Sequence, residues 1–329
     1  MIMKDRIIWI DLAKGFCILL VVLSHVADYI YIDVPFSEQM SSFRMPLYFV
    51  LSGMFFKQYD GFVGFFKRKA NKLLVPFLFF LITTSVIPYA IVNQENSLNL
   101  FFTEENGPVY NFAIWFLLCL FEINILFYAI QILSFKLTTE YRFTFVLVVS
   151  VLLGCFGIFL GVNDCRLPFY IGTAFTAMPF FAFGWWLRNN TSFLSSPVSP
   201  VLDVSIIVFC SLIVYFCADR VIYSSNIIPI NSFALVHLCG IAGTMMVLII
   251  AKFLKTLPLV SFWGRYSIII LCTHQIVIII VQHFIKSVFV GSLLFLMLFL
   301  LTVIICHILI LFMKRFMPHV TAQKDLIRI

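Results

Sequence analysis

The chain is 329 residues long, 62% of them hydrophobic and only 11% charged, with 40 phenylalanines and a net charge of +7. Soluble domains carry about 25% charged residues. Here the apolar residues fall in long runs, so a water-soluble fold is excluded and an all-α polytopic membrane protein is expected. No polar segment is long enough to fold by itself in water, which makes 1–329 a single integral-membrane domain. The nine cysteines show no C-x-x-C and no Cys/His cluster, and they read as small buried hydrophobes rather than metal ligands or a disulfide framework.

About ten apolar segments reach the ~20 residues that a crossing takes. They lie near 7–30, 43–60, 73–92, 112–134, 143–161, 168–187, 201–218, 232–251, 261–284 and 288–313. The first is basic and then apolar, as a signal peptide is. It carries Asp11 and Lys14 where an h-region carries no charge, and no small-residue cleavage site follows, so it is expected to be retained. Lys14 and His25 are 11 residues apart, which at 100° per residue leaves them about 20° apart on one face and about 16 Å apart along the axis. Asp11, at i−3 from Lys14, is spaced to pair with it. Two readings fit: Lys14 snorkels to one surface with His25 near the other, or the stripe lines a protein or water-filled pathway. An imidazole that titrates near neutrality suits a base, an acid or a nucleophile.

The second segment begins with Arg44, suited either to an interfacial anchor or to holding an anion or oxyanion. It is short and holds Pro46 and Gly53, so it is expected to be bent or broken, with Ser52-Gly53 either a packing contact or part of a site lining. Lys67, Arg68, Lys69 and Lys72 stand at the entrance to the third. They serve either membrane topology alone or the phosphates of a nucleotide-bearing donor. In the fourth, Glu122 lies at mid-membrane depth, where a carboxylate must be neutral, paired or wet; Trp115, seven residues earlier, shares its face and fits either an interfacial belt or an acceptor site. In the ninth, Ser267 and His274 are seven residues apart on one face, with Arg265 at the start. His237 and His307 have no comparable context and read as structural.

With the N-terminus cytosolic, 17 of the 22 Lys and Arg fall on cytosolic ends and turns. Only Arg44, Arg166, Arg220 and Lys286 fall opposite, where "NQENSLNLFFTEENGP" is acidic, and Lys14 lies within a span. That bias puts both termini in the cytosol. The positive charge is scattered over short turns, so it does not point to nucleic acid.

Several of these stretches carry a resemblance, in order. "IDLAKGFCILLVVLSH", a basic residue followed by ten residues and a histidine, resembles the first-span motif of the acyltransferase 3 family of integral-membrane O-acyltransferases, in a Lys-Gly form similar to its fucose-acetylase-like branch. "FRMPLYFVLSGMFF", "KRKANKLLVPF", "IWFLLCLF" and "WGRYSIIILCTHQIVI" resemble its second-span, third-span, fourth-span and late segments. Lysines stand at 14, 69 and 72 where arginines are usual, keeping the charge but losing the bidentate fork.

The resemblance implies an acyl group, acetyl above all, carried from cytosolic acyl-CoA to a hydroxyl of a cell-envelope glycan or related acceptor, at the bacterial cytoplasmic membrane. Acyl-CoA would be a co-substrate, with no cofactor tightly bound. His25, with Lys14 and Asp11, would be catalytic, as general base or transient acyl carrier. Lys67, Arg68, Lys69, Lys72 and Arg265 would hold the donor. Arg44, Ser52, Gly53, Trp115, Glu122, Ser267 and His274 would line the acceptor site or pathway. Intramembrane Lys, His and Glu also suit a proton-coupled transporter or flippase of a polar solute, although no internal repeat is evident.

Overall fold

A computed structural model of the chain describes residues 7–59, 61–88, 110–165, 167–221, 223–225, 228–229 and 232–328. The acidic loop quoted above and Arg166 lie outside these residues. Within them the chain is helical: α1 (Ile8–Ile30), α2 (Ser37–Met54), α3 (Gly61–Val86), α4 (Trp115–Ser134), α5 (Thr139–Val162), α6 (Ile171–Asn190), α7 (Pro200–Cys217), α8 (Phe233–Leu254), α9 (Pro258–Arg265), α10 (Ser267–Ile285) and α11 (Gly291–Phe316). A two-stranded antiparallel ribbon, Tyr223–Ser225 with Ile228–Pro229, precedes α8.

Eight of these helices are long and apolar enough to cross a membrane: α1, α3, α4, α5, α7, α8, α10 and α11. Helices also stand at the second and sixth expected places. These, α2 and α6, contain Pro46 and Pro179 and are less apolar. The protein is thus an all-α multi-pass membrane protein. In α1, 67% of the apolar window is buried, against 17% in α7 and 22% in α11. The charge-bearing helix is the enclosed one, and the helices that expose Phe209, Phe216, Leu300 and Ile304 suit a lipid solvent.

Three expectations need correcting. α2 is not broken at Pro46; it runs continuously from Ser37 to Met54, starting seven residues before Arg44. Irregular backbone occurs instead in α3, which has π-helical turns at Ala70–Leu74 and Ile82–Val86. α3 also starts at Gly61, twelve residues ahead of the expected boundary. "GFVGFFKRK" is an amphipathic helical stretch rather than a loop, so the four basic residues lie along the helix and not before it. The ninth segment is two helices, not one. Tyr266 (φ −111°, ψ 25°) ends α9 and begins α10, so Arg265 closes a short helix instead of opening a long one.

The chain divides into two compact units. The first comprises Met1–Tyr48, Ser196–Asp219 and Leu238–Leu311, and the second Phe49–Ser195, Arg220–His237 and Phe312–Ile329. In the first, α1 packs along α9 and α10. Two glycines make the α1–α9 crossing possible. A Cβ on Gly264 would collide with the Asp11 carbonyl oxygen, and one on Gly15 with the Val260 carbonyl oxygen. In the second, α6 packs on α4 and α5, and a reciprocal pair brings α6 against the end of α2: Gly53 meets the Phe181 carbonyl and Gly184 the Val50 carbonyl. Close backbone approach through small residues is how helices gain contact where lipid is as apolar as the side chains.

Candidate active site

Two levels of α1 carry the polar groups. Near its start, Asp11 is buried and Lys14 half-buried. Against this level α9 arrives with Gly264, which stands over the Asp11 carbonyl and the Gly15 nitrogen. Tyr48 of α2, fully packed, donates its hydroxyl hydrogen to the Lys14 carbonyl at 3.2 Å and is hydrogen-bonded to the Ser267 side chain. Ser267 is the first residue of α10 and is buried. The structure therefore brings Asp11, Lys14 and Ser267 together, with the Gly264-Arg265 turn beside them. The Arg265 guanidinium lies over the Tyr266 ring, 5.4 Å from its centroid.

Three turns further along α1 stands His25, with 22% of its side chain exposed. Its ring lies against that of His274 of α10, with centroids 5.2 Å apart and planes tilted by 37°. His274 is fully buried. Its Nδ1 lies 2.8 Å from the Ile270 carbonyl oxygen, which can only accept, so Nδ1 carries the hydrogen and Nε2 the lone pair. Among the described residues that Nε2 has no hydrogen-bond partner. His25 Nδ1 has two neighbours: Gln275 Nε2 at 3.5 Å and Asp28 Oδ2 at 3.8 Å. Arg44 of α2 is close enough for its charge to bear on His25 and Asp28, and its carbonyl accepts the Cys17 thiol hydrogen at 2.7 Å. The structure thus gathers Arg44 and His274, two of the residues singled out from sequence, around His25. Two imidazoles, a carboxylate and a guanidinium in one cluster can move a proton and steady a developing oxyanion.

The remaining residues belong to the second unit. Along α3, the Arg68 guanidinium lies over the Tyr59 ring (4.6 Å to the centroid), and Lys69 Nζ lies 5.8 and 5.7 Å from the centroids of the Phe56 and Phe65 rings. Lys67 is half-buried on the same turns. Lys72 is differently engaged: it donates to the Ala322 carbonyl at 2.8 Å and lies 3.4 Å from the Asp325 carboxylate. Next to it the fully buried Asn71 uses both ends of its amide, donating to the Ile327 carbonyl at 2.8 Å and accepting from the Leu326 and Ile327 nitrogens at 2.9 and 2.8 Å. The segment 321–327 is therefore fastened to the π-helical turn that carries Lys72. Ser52 is half-buried beside Gly53, whose close approach to Phe181 gives it a packing role. Trp115 is buried against Tyr170, with ring centroids 5.6 Å apart. Glu122, two turns along α4, is half-buried, with its Oε2 enclosed.

Sequence reasoning missed Asp28, Tyr48 and Gln275. Asp28 was within reach of the helix-face rule, since it stands three residues past His25. Gln275 adjoins His274, about 100° around the helix, and nothing in the sequence marks it. Tyr48 is 34 residues from the carbonyl it meets. It has no local signal.

The sequence model of one family, described as an acyltransferase domain (Acyl_transf_3), matches residues 7–311 and so spans every residue of both clusters except the 321–327 segment. The match is to the family as a whole and singles out no branch. No curated protein and no solved structure matches the chain.

Proposed function

Since the chain belongs to the acyltransferase 3 family, we propose that it transfers an acetyl or similar acyl group from acyl-CoA to a hydroxyl of a cell-envelope glycan or related acceptor. Acyl-CoA is a co-substrate consumed in each turnover, and CoA leaves. The protein resides in the bacterial cytoplasmic membrane with both termini cytosolic, the arrangement favoured by its Lys and Arg distribution. Family membership favours this reading over solute transport.

The observation that carries the assignment of His25 is its setting. It is a half-buried imidazole on the most enclosed span, in ring contact with a second, fully buried imidazole and within reach of the Arg44 charge. His25 takes the proton of the acceptor hydroxyl as that oxygen attacks the thioester carbonyl. Arg44 offsets the negative charge on the tetrahedral oxygen. Collapse breaks the carbon–sulfur bond, and the departing CoA thiolate recovers the proton from His25. Lys67, Arg68, Lys69, Lys72 and Arg265 serve the phosphates of the donor. Lys14 and Asp11 line the route of the acyl chain along α1, and Ser52, Trp115, Glu122, Ser267 and His274 line the acceptor route, with Gly53 packing α2 against α6 beside Ser52.

The test is thiol release from acetyl-CoA by the purified protein in liposomes, with mass spectrometry of envelope glycans from cells with and without the protein. The His25→Ala variant is expected to insert normally and to lose about 10²–10⁴-fold in rate, the range for removal of a general base. Transfer by that variant at near the wild-type rate overturns the mechanism.

A further inference from the structure

A base needs the right nitrogen free. The two neighbours of His25 Nδ1 make opposite demands on it. Gln275 Nε2, at 3.5 Å, is a donor and calls for a lone pair on Nδ1, which puts the ring hydrogen on Nε2. Asp28 Oδ2, at 3.8 Å, is an acceptor and calls for the hydrogen on Nδ1, which leaves Nε2 as the basic nitrogen. Only the second tautomer presents a lone pair away from these two groups.

The position of Asp28 is fixed by the way α1 ends. Tyr31 adopts a left-handed conformation (φ 54°) and turns its N–H back to the Ala27 and Asp28 carbonyls. The Gln282 side chain of α10 donates to the Tyr29 carbonyl at 3.2 Å. The last turn of α1 is thus closed on itself and tied to the helix that carries His274 and Gln275.

We propose that Asp28 is the positioning residue of His25, selecting the Nδ1–H tautomer against Gln275 and balancing the imidazolium that forms as Nε2 takes the acceptor proton. The proposal rests on His25 being the base. Among the described residues, the other titratable groups that bear on His25 are Arg44 from α2 and His274 from α10. Arg44 opposes positive charge on the ring, so Asp28 is the group in the cluster that favours it. This attraction is absent from the neutral ground state and present in the transition state, so its loss lowers kcat and leaves KM alone.

The experiment measures kcat and both KM values for the wild type, Asp28→Asn, Asp28→Glu and His25→Ala in proteoliposomes, and records 15N spectra of histidine-labelled protein. The His25 ring signals are identified by their loss in His25→Ala. The expected result for Asp28→Asn is a fall in kcat on the order of 10–10²-fold, at the lower end of the effect of an orienting carboxylate because Asp28 is two-thirds exposed. KM is unchanged, the His25 signals move toward the Nε2–H tautomer, and Asp28→Glu recovers most of the rate. A wild-type kcat in Asp28→Asn, or unmoved ring signals, overturns the role of Asp28 while leaving His25 as the base. Full activity in His25→Ala overturns the reading beneath it.

Discussion

Replacing Gly264 by alanine tests the arrangement of the first unit at its tightest point. The added methyl would stand 2.5 Å from the Gly15 nitrogen and would collide with the Asp11 carbonyl oxygen. Carbon needs about 3.5 Å of separation from such neighbours, so α9 must move away from α1 by more than about 1 Å. Both obstructing atoms are backbone, and no side-chain rotation relieves them. Overpacking of this kind costs about 1–3 kcal/mol, or roughly a 5- to 160-fold loss in the folded-to-unfolded ratio at 1.36 kcal/mol per tenfold. Gly64 supplies the control: it lies in helical α3, and a methyl added there would meet nothing within 4 Å, so Gly64→Ala gains about 1 kcal/mol of helix propensity with no collision. The assay is thermal unfolding in nanodiscs followed by tryptophan fluorescence, with Trp9 and Trp263 flanking the crossing. Gly264→Ala is expected to unfold well below the wild type and Gly64→Ala at or above it. Gly264→Ala should also lose transfer rate, because moving α9 drags the Tyr266–Ser267 junction and the Ser267–Tyr48 bond with it. If Gly264→Ala unfolds no lower than Gly64→Ala, the helix crossing is not as described and the clustering of Asp11, Lys14 and Ser267 fails with it.

Removing charge at Lys69 and Lys72 is expected to raise the KM for acyl-CoA severalfold with a smaller effect on kcat, since phosphate contacts remote from the thioester serve ground and transition states alike; steady-state kinetics showing a pure kcat loss would assign these residues to folding. Acyl-CoA is expected to be consumed only from the cytosolic face, while the acceptor reaches His25 from the outer half of the bilayer. His25 is eighteen residues past the start of the first apolar segment, about 27 Å at 1.5 Å per residue across a core of about 30 Å. Proteoliposomes of uniform orientation, supplied with acyl-CoA on one face at a time, check this, and equal use from both faces would sink it.

The features that a single helix imposes were legible in the sequence. The polar stripe of α1 follows from spacing alone, and its enclosure follows from the cost of exposing Lys14 and Asp11 to lipid. The ring contact of His25 with His274 was anticipated only as membership of one site, because nothing local sets the register between α1 and α10. The early start of α3 was missed for a physical reason. "GFVGFFKRK" mixes phenylalanines with three cations, which read as a loop, yet in the helix the Lys69 ammonium lies near the Phe56 and Phe65 rings. The break at Tyr266 was equally hidden, since "FWGRYSIIIL" contains no proline and its glycine serves the crossing rather than the break. The two glycines of "KGF" and "WGR" carry no packing signal in the sequence. That they are one contact, seen from either side, is a fact of the third dimension.

The fastening of Asn71 to Ile327 spans 256 residues of chain. Protein synthesis proceeds at roughly 5–20 residues per second, so α3 emerges on the order of 10–50 s before its partner stretch of backbone exists. Throughout that interval the Asn71 amide, destined for complete burial, has none of its three native backbone bonds. An unsatisfied buried amide is costly, so the π-helical turn cannot reach its final enclosure until Leu326 and Ile327 have been made. The ribosome's clock, rather than the order of the spans, thus dates the completion of this part of the protein.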